Sequence, residues 1–139
     1  MTNAQCPLVD FVDALPDARA PRLSVRSDVL EGGEPLSLSV EGVGGAASLF
    51  VATPDGTMVN VTSLARTVDG AVMLELPRTA FASGAGSNYL MMAVTADRAF
   101  PAMDRERADD PRRFLAEMRR EAEGRRIELG ASLKALRVR

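Results

Sequence analysis

The chain has 139 residues, of which 46% are hydrophobic and 4% aromatic, and it contains no histidine. A chain of this length is typical of one domain that buries its core without disulfides or metals, so residues 1–139 are predicted to form a single domain. The absence of histidine excludes the commonest general base, the commonest zinc ligand and every Ser-His catalytic triad.

The net charge of −2 is unevenly distributed along the chain. Residues 1–97 sum to −6, whereas residues 98–139 sum to +4. A basic segment can contact nucleic acid or anionic lipid. Here, however, acidic residues are interleaved with the arginines and no aromatic stacking platform accompanies them. We interpret the segment as a solvated helix face with local ion pairs, and we expect no nucleic-acid partner.

Cys6 is the single cysteine, so an intrachain disulfide is impossible and a cysteine-based metal site is not expected. It could pair with another chain, but the role of a small buried hydrophobic residue fits it better. No segment has the pattern of a signal peptide or a membrane span, so we expect no direct membrane insertion.

The first segment with a pattern is helical. Residues 1–5 are interpreted as a frayed end. Apolar residues from Leu8 to Leu15 then follow helical spacing, and Pro16 ends the run. This predicts a short helix over residues 6–15 that packs on the body of the domain; docking to a partner is its alternative role.

The main strands are predicted between residues 23 and 96, where apolar and polar residues alternate with the period of two that half-buried strands require. They are Leu23–Val25, Leu36–Val40, the two arms of a hairpin over Ala47–Thr62, Val72–Leu76 and Tyr89–Thr95. Ser63–Val68 is interpreted as irregular, Asp69-Gly70 as a turn and Thr79–Ser87 as a loop.

The hairpin is the clearest of these signals, because Pro54-Asp55-Gly56 is a strong turn sequence between two alternating runs. In its first arm, Leu49 and Val51 are expected to face an opposite sheet and Ser48 to face water. Tyr89–Thr95 is apolar throughout, which predicts a central strand that is covered on both faces.

A second helix is predicted over residues 111–123. Asp110 is a favourable N-cap, proline follows at the first helical position, and Gly124 is a natural stop. Its apolar face comprises Phe114, Leu115, Met118 and Ala122. Residues 133–138 are predicted to form a last strand with Leu136 and Val138 inward, and residues 125–132 are left unassigned.

Together these elements predict a mainly β (α+β) fold. Six or seven short strands, with a helix near each end, indicate a small immunoglobulin-like antiparallel β-sandwich. The sandwich is expected to carry a short N-terminal helix and a C-terminal helix followed by the last strand.

Few residues offer catalytic or metal chemistry. A serine nucleophile would need a lysine base, and the single lysine, Lys134, lies in the predicted last strand. Asn60-Val61-Thr62 matches a glycosylation acceptor, but it lies within the hairpin. Gly42–Gly45 is not followed by the helix that a phosphate loop needs. Four acidic residues could bind Ca²⁺ but lack the EF-hand spacing, so capping and solvation fit them better: Asp104, Glu106, Asp109 and Asp110.

We therefore predict no catalytic, cofactor-binding or metal-binding residues, no cofactor and no enzymatic activity. Function in sandwich folds usually resides on loops. The expected contact sites, for an unknown protein partner or a small ligand, are three loops that we place at one end of the sandwich: Gly42–Gly45, Arg66–Gly70 and Ser83–Ser87.

The order of several short motifs resembles a known family. The motifs are Gly33-Glu34, Leu49 with Val51, Pro54-Asp55-Gly56, Val61, Leu76-Pro77, a glycine-bearing loop before Leu90 to Ala93, and Pro101. Over about residues 30–103 the chain resembles an uncharacterised bacterial domain that is often appended to Ser/Thr protein kinases and caspase-like peptidases. The family's Phe-Pro pair is replaced here by Val61-Thr62-Ser63-Leu64. The resemblance implies a non-catalytic accessory domain, in the extracytoplasmic (periplasmic) part of a membrane-anchored signalling protein.

Three hypotheses follow. The first is an accessory sensor or protein-interaction module of a bacterial signalling protein. The second is a structural or assembly component of a bacterial envelope complex, whose terminal helices dock onto partners. The third is a small hydrolase. The residues themselves do not specify the compartment.

Overall fold

The computed structural model describes residues 3–26, 29–30, 35–42, 45–76 and 87–138. Within these ranges there are two α-helices, α1 (Cys6–Asp13) and α2 (Pro111–Gly124), and short 3-10 turns at Asn3–Gln5, Asp17–Arg19, Thr62–Leu64 and Pro101–Asp104. The strands are β1 (Arg22–Val25), β2 (Val29–Leu30), β3 (Leu36–Glu41), β4 (Ala46–Ala52), β5 (Met58–Asn60), β6 (Arg66–Val68), β7 (Ala71–Leu76), β8 (Ser87–Ala96), β9 (Arg107–Ala108) and β10 (Leu129–Val138).

The strands form two sheets. The four-stranded sheet has the order β1-β3-β7-β6, and the six-stranded sheet has the order β2-β10-β8-β4-β5-β9. The described pairings are antiparallel, except that β2 runs parallel to β10. The predicted mainly β architecture is confirmed: two antiparallel sheets, a short N-terminal helix, and a C-terminal helix followed by a final strand.

The two sheets enclose one hydrophobic core. From the four-stranded sheet, β3 contributes alternate residues such as Leu36 and Leu38, which are 0% and 3% exposed. From the six-stranded sheet, Leu49 and Val51 on β4 and Leu136 on β10 belong to the same cluster. The inward faces predicted for β3, β4 and the last strand are therefore confirmed.

A second core lies on the other face of the six-stranded sheet, where both helices pack. Phe50 on β4 meets Phe114 on α2 edge-on, with ring centroids 5.6 Å apart. Leu8 and Phe11 on α1 belong to the same buried cluster as Met92 on β8. The prediction that the Tyr89–Thr95 segment is covered on both faces is confirmed, because one face meets the opposite sheet and the other meets the helices.

The prediction that Ser48 faces water is wrong. Ser48 is 3% exposed, and its hydroxyl donates a 2.8 Å hydrogen bond to the carbonyl oxygen of Met103 in the Pro101–Asp104 turn. It lies on the same face of β4 as Phe50, which is the face that the second core covers. Both faces of β4 are therefore buried. Its alternating residues belong to two different cores, and neither face of the strand is a solvent face.

The prediction of a frayed end is also wrong for residues 3–5. The side chain of Gln5 is buried, and its amide donates hydrogen bonds to the carbonyl oxygens of Thr53 (2.9 Å) and Asn88 (3.1 Å). These bonds join the N-terminal segment to the hairpin turn and to β8. Cys6, expected to be buried, is exposed, because Leu8 and Phe11 are the buried positions of α1.

The predicted hairpin is formed by β4 and β5, with Val51 opposite Val59. In the turn, the Gly56 N–H donates to the Thr53 carbonyl at 2.9 Å. Gly56 has φ +92°, and a Cβ added there would lie 2.7 Å from the carbonyl oxygen of Ala4. Only glycine fits both the turn and this close contact.

The Asp55 carboxylate in this turn predicts a pH dependence of stability. Hydrogen bonds from the Thr53 hydroxyl and the Thr57 N–H lower the pKa of Asp55. A carboxylate whose pKa is lower in the folded than in the unfolded state stabilises the fold at pH values above its unfolded pKa. This stabilisation is lost as the pH falls through the folded pKa. We expect the difference in unfolding free energy between the wild type and Asp55→Asn to shrink between about pH 5 and pH 2. Urea titrations followed by circular dichroism measure it; a difference independent of pH would contradict the assignment.

The segment from Ser63 to Val68 is more regular than predicted. Thr62–Leu64 forms a 3-10 turn and Arg66–Val68 forms β6, which pairs with β7 through the predicted Asp69-Gly70 turn. Both turn residues have positive φ (51° and 81°), the conformation of a two-residue hairpin turn that matches the strand twist. A three-residue strand is too short to give a period signal, which explains the error.

In the C-terminal half, the predicted helix and the predicted last strand are both present, and the strand is longer than predicted. Asp110 caps α2 by accepting a 3.1 Å hydrogen bond from the Arg113 N–H, and the predicted apolar face of α2 is buried. The last strand begins at Leu129, four residues before the predicted Leu133. Gly130 lies in this extension, where an added Cβ would lie 2.6 Å from the carbonyl carbon of Arg19 and closer still to its oxygen.

Helix α2 ends in a Schellman motif, which gives a prediction for Arg126. The Ile127 N–H donates to the Ala122 carbonyl (2.8 Å), the Arg126 N–H donates to the Glu123 carbonyl (3.2 Å), and Ile127 is buried. Arg126 has φ +57°, a conformation that costs a non-glycine residue about 1 kcal/mol. We expect Arg126→Gly to raise the free energy of unfolding by about 0.5–1 kcal/mol, measured by urea denaturation. Arg120→Gly, at an exposed position within α2, is the control and should lower it by about 1 kcal/mol.

Candidate functional site

The solvent side of the four-stranded sheet is the candidate site, and we call it the outer face. It is formed by the residues that alternate with the inward-facing ones. In one row across the four strands, Ser24 lies opposite Ser39, Ser39 opposite Met73, and Met73 opposite Arg66. A neighbouring row contains Ser37 opposite Glu75. The alternation that fills the inter-sheet core therefore also fixes which side chains share the outer face.

A shallow groove of about 730 Å³ runs across this face. Ser24, Ser37 and Ser39 line the groove, and their short side chains leave space above the strands. Leu64 and Met73 are exposed large apolar residues that line it. The volume is within the range of ligand-binding clefts, but the groove is open along the sheet.

The outer face includes exposed large apolar side chains. Among the described residues, the large hydrophobic side chains that are most exposed are Leu64 (61%), Val68 (39%) and Met73 (38%). Val68 shares the outer face with Arg66, two residues before it on β6, and Leu64 and Met73 line the groove. Clustered apolar exposure of this kind is typical of interaction surfaces, whereas single exposed residues need no explanation.

Charged residues of both signs accompany these apolar side chains. Arg66 and Glu75 are exposed, and no described residue forms an ion pair with either. Arg26 also lines the groove and is likewise without an ion-pair partner among the described residues. At the edge of the face, Arg22 and Glu41 are 3.5 Å apart and form a pair. The groove on the outer face is thus lined by charges that the described part of the chain does not neutralise.

A second, smaller cleft of about 380 Å³ lies at one end of the sandwich, between the two sheets. Gly45 and Ala47 line it from the six-stranded sheet, and Thr67 and Gly70 line it from the β6–β7 hairpin. Small residues on both sides leave the inter-sheet space unfilled here. Its lining brings together two of the three loops predicted as contact sites.

Of the third predicted loop, Ser83–Ser87, the structure describes only Ser87. Residues 83–86 are outside the described part of the chain, but Ser87 pairs with Val138, whereas Ala96, at the other end of β8, pairs with Ala46 beside Gly45. Leu76, the described residue before the loop, pairs with Leu36, which also lies away from Gly45. Ser87 therefore lies at the opposite end of the sandwich from Gly45, and the prediction for the rest of this loop falls on residues outside the described part of the chain.

Two of the four acidic residues considered for Ca²⁺ have structural partners. Asp109 pairs with Arg107 at 2.9 Å, and Asp110 caps α2. In the described ranges, no group of three or more acidic, cysteine or histidine side chains is close enough to hold a metal ion. Lys134 lies on β10 opposite Met91, and no hydrogen bond connects it to a described serine.

Asn60, part of the glycosylation pattern, makes hydrogen bonds with each end of its amide. Its nitrogen donates to the carbonyl oxygens of Met103 and Arg105, each at 3.0 Å. Its oxygen accepts from the N–H (2.9 Å) and the hydroxyl (2.5 Å) of Thr62. The side chain joins the hairpin to the turn beside β9.

The basic residues near α2 form local ion pairs, as predicted from the sequence. Glu117 contacts Arg105 (3.1 Å) and Arg113 (3.2 Å), and Arg125 lies 3.5 Å from Glu121. The hydrogen bond from Arg113, aided by Arg105, lowers the pKa of Glu117. Arg105 also lies over the Phe114 ring, 5.0 Å from its centroid. No helix in the described ranges is long and apolar enough to cross a bilayer.

The alternation in the sequence indicates which positions of β3 and β7 face solvent. It does not indicate that these positions together form an interaction surface. The available signal was that large apolar residues, Val68 and Met73, occupy positions where solvated strands usually carry polar ones. Comparison with known proteins adds no further assignment: no family model, no curated protein and no solved structure is significantly similar to this chain.

Proposed function

We propose that the protein is a non-catalytic interaction module that contacts a protein partner through its outer face. The observation that carries this proposal is the grouping of Leu64, Val68 and Met73, the most exposed large hydrophobic side chains described, on one face. Protein interfaces combine an apolar centre with polar residues at the rim, and Arg is enriched in them. The outer face has this composition, with Arg66 and Arg26 beside its apolar residues.

The order of motifs over about residues 30–103 supports a more specific form of the proposal. By resemblance, the module is an accessory domain of a bacterial signalling protein, in its extracytoplasmic part. In such a protein the outer face provides a contact surface to another protein, and the parent chain supplies the catalytic activity.

The alternative of an envelope component that docks by its terminal helices has less support. The apolar residues of α1 and α2, such as Phe11 and Phe114, are 4% and 1% exposed and belong to the second core. Only the polar faces of these helices are accessible to a partner. Removing either helix would also expose the apolar face of the six-stranded sheet. A truncation would therefore disturb folding, and a loss of binding would not identify the helix as the contact site.

Site-specific photocrosslinking in the native host tests the proposal. A benzophenone amino acid is introduced in place of Leu64 on the outer face or, as the matched control, in place of the exposed Ala116 on α2. We expect a discrete crosslinked protein product from the first position and none from the second. A product from Ala116 alone, or equal products from both positions, would place the contact surface elsewhere.

A further inference from the structure

The charges on the outer face point to the partner, and this inference rests on the proposed function of that face. Arg66 is positive and Glu75 is negative, both are exposed, and neither has an ion-pair partner among the described residues. A partner that satisfies both must present an acid and a base at the same separation. We propose that the partner is a second copy of this chain, with the two outer faces packed together about a two-fold axis.

The strand register makes this pairing geometrically consistent. Arg66 lies opposite Met73 on β7, and Glu75 is two residues further along β7, so Arg66 and Glu75 are diagonal neighbours. Such diagonal neighbours are about 7–8 Å apart, and their Cβ atoms are somewhat closer. A two-fold axis in the interface, midway between the two positions and perpendicular to the line joining them, places Arg66 of each copy against Glu75 of the other. Each contact therefore occurs twice, as in any isologous interface.

The apolar residues complete the surface. Leu64 and Met73 line the same groove as Arg66 and Glu75. Around the proposed axis they would contact the same residues of the second copy and lose their exposure to water. Burial of this apolar surface provides the attraction, and the two charge pairs fix the register.

The size of the face limits the strength of the dimer. The strands β1, β3, β7 and β6 have four, six, six and three residues and lie about 4.8 Å apart, which gives a flat area of roughly 300 Å² per copy. The two copies together would bury roughly 600 Å² of this face, which is below the range of specific, stable protein interfaces. We therefore expect a reversible dimer whose dissociation constant is on the order of micromolar or weaker.

A charge-exchange experiment tests the arrangement. Analytical ultracentrifugation of the full chain over a range of concentrations gives the dissociation constant for the wild type, Arg66→Glu and Glu75→Arg. Each single variant places two like charges in contact twice, so we expect dimerisation to weaken at least tenfold. In the heterodimer of an equimolar mixture, one contact is the wild-type Arg66–Glu75 pair and the other is the same pair with its charges reversed. Both contacts are then attractive, and the dimer should return to near the wild-type affinity. Circular dichroism melting of each variant provides the folding control.

Three results would overturn the proposal: a wild type that stays monomeric up to millimolar concentration, a dimer that neither variant weakens, or a mixture that does not recover affinity. The photocrosslinking experiment separates this failure from that of the proposed function. If the wild type is monomeric but Leu64 crosslinks to a different protein, the outer face is an interaction surface and the second copy is not its partner.

Discussion

Replacing Val51 with aspartate is expected to lower the free energy of unfolding by about 3–5 kcal/mol, which removes much of the stability of a typical domain. Val51 is 7% exposed and lies in the core between the two sheets. A carboxylate at this position would face the inward residues of the four-stranded sheet, which offer it apolar contacts such as Leu38 and Leu74. Urea denaturation followed by circular dichroism measures the change.

Two further variants separate the causes of this loss. Val51→Ala removes apolar volume without adding charge, and we expect a cost of about 1–3 kcal/mol. Ser24→Asp introduces the same carboxylate on the outer face of β1, where the side chain is exposed, and should change stability by about 0.5 kcal/mol or less. Equal costs for Val51→Asp and Ser24→Asp would mean that the assignment of faces is incorrect.

The alternation of residues was sufficient to predict β1, β3 and β7 of the four-stranded sheet, but not β6. Leu36, Leu38 and Val40 alternate with serines because one side of β3 meets a core and the other meets water. The rule fails on β4, where both sides are buried. Ser48 is polar because one specific acceptor, the Met103 carbonyl, lies 55 residues away in the chain. A contact over this separation leaves no periodic signal in the local sequence.

The candidate site could be predicted from the sequence only in part, because the grouping of its residues depends on how the strands pair. The period of β7 indicates which of its residues face solvent, because Met73 and Glu75 alternate with the buried Leu74 and Leu76. Their grouping with Leu64 and Arg66 depends on β6 lying next to β7 at the edge of the sheet. That strand order is set by pairing between segments, and β6 is too short to be recognised by itself. The outer face therefore emerges only when the strands are assembled.

The second large effect is expected for Ser48→Asp, which should lower the free energy of unfolding by about 3–4 kcal/mol. The Ser48 hydroxyl donates to the Met103 carbonyl, whereas an ionised carboxylate can only accept hydrogen bonds. It would oppose the carbonyl oxygen and would be buried in the same face of β4 as Phe50. Thermal and urea denaturation of the variant measure the change.

Neutral substitutions at the same position isolate the contribution of the charge. Ser48→Ala removes the donor, but the Met103 carbonyl keeps its 3.0 Å hydrogen bond from the Asn60 amide, so we expect a loss of only about 1 kcal/mol. Ser48→Asn has nearly the size of aspartate and retains a donor, so its cost should lie between the two. If Ser48→Asp instead costs no more than Ser48→Ala, the helix-side face of β4 is open to water, and the packing of α1 and α2 on the six-stranded sheet is incorrect.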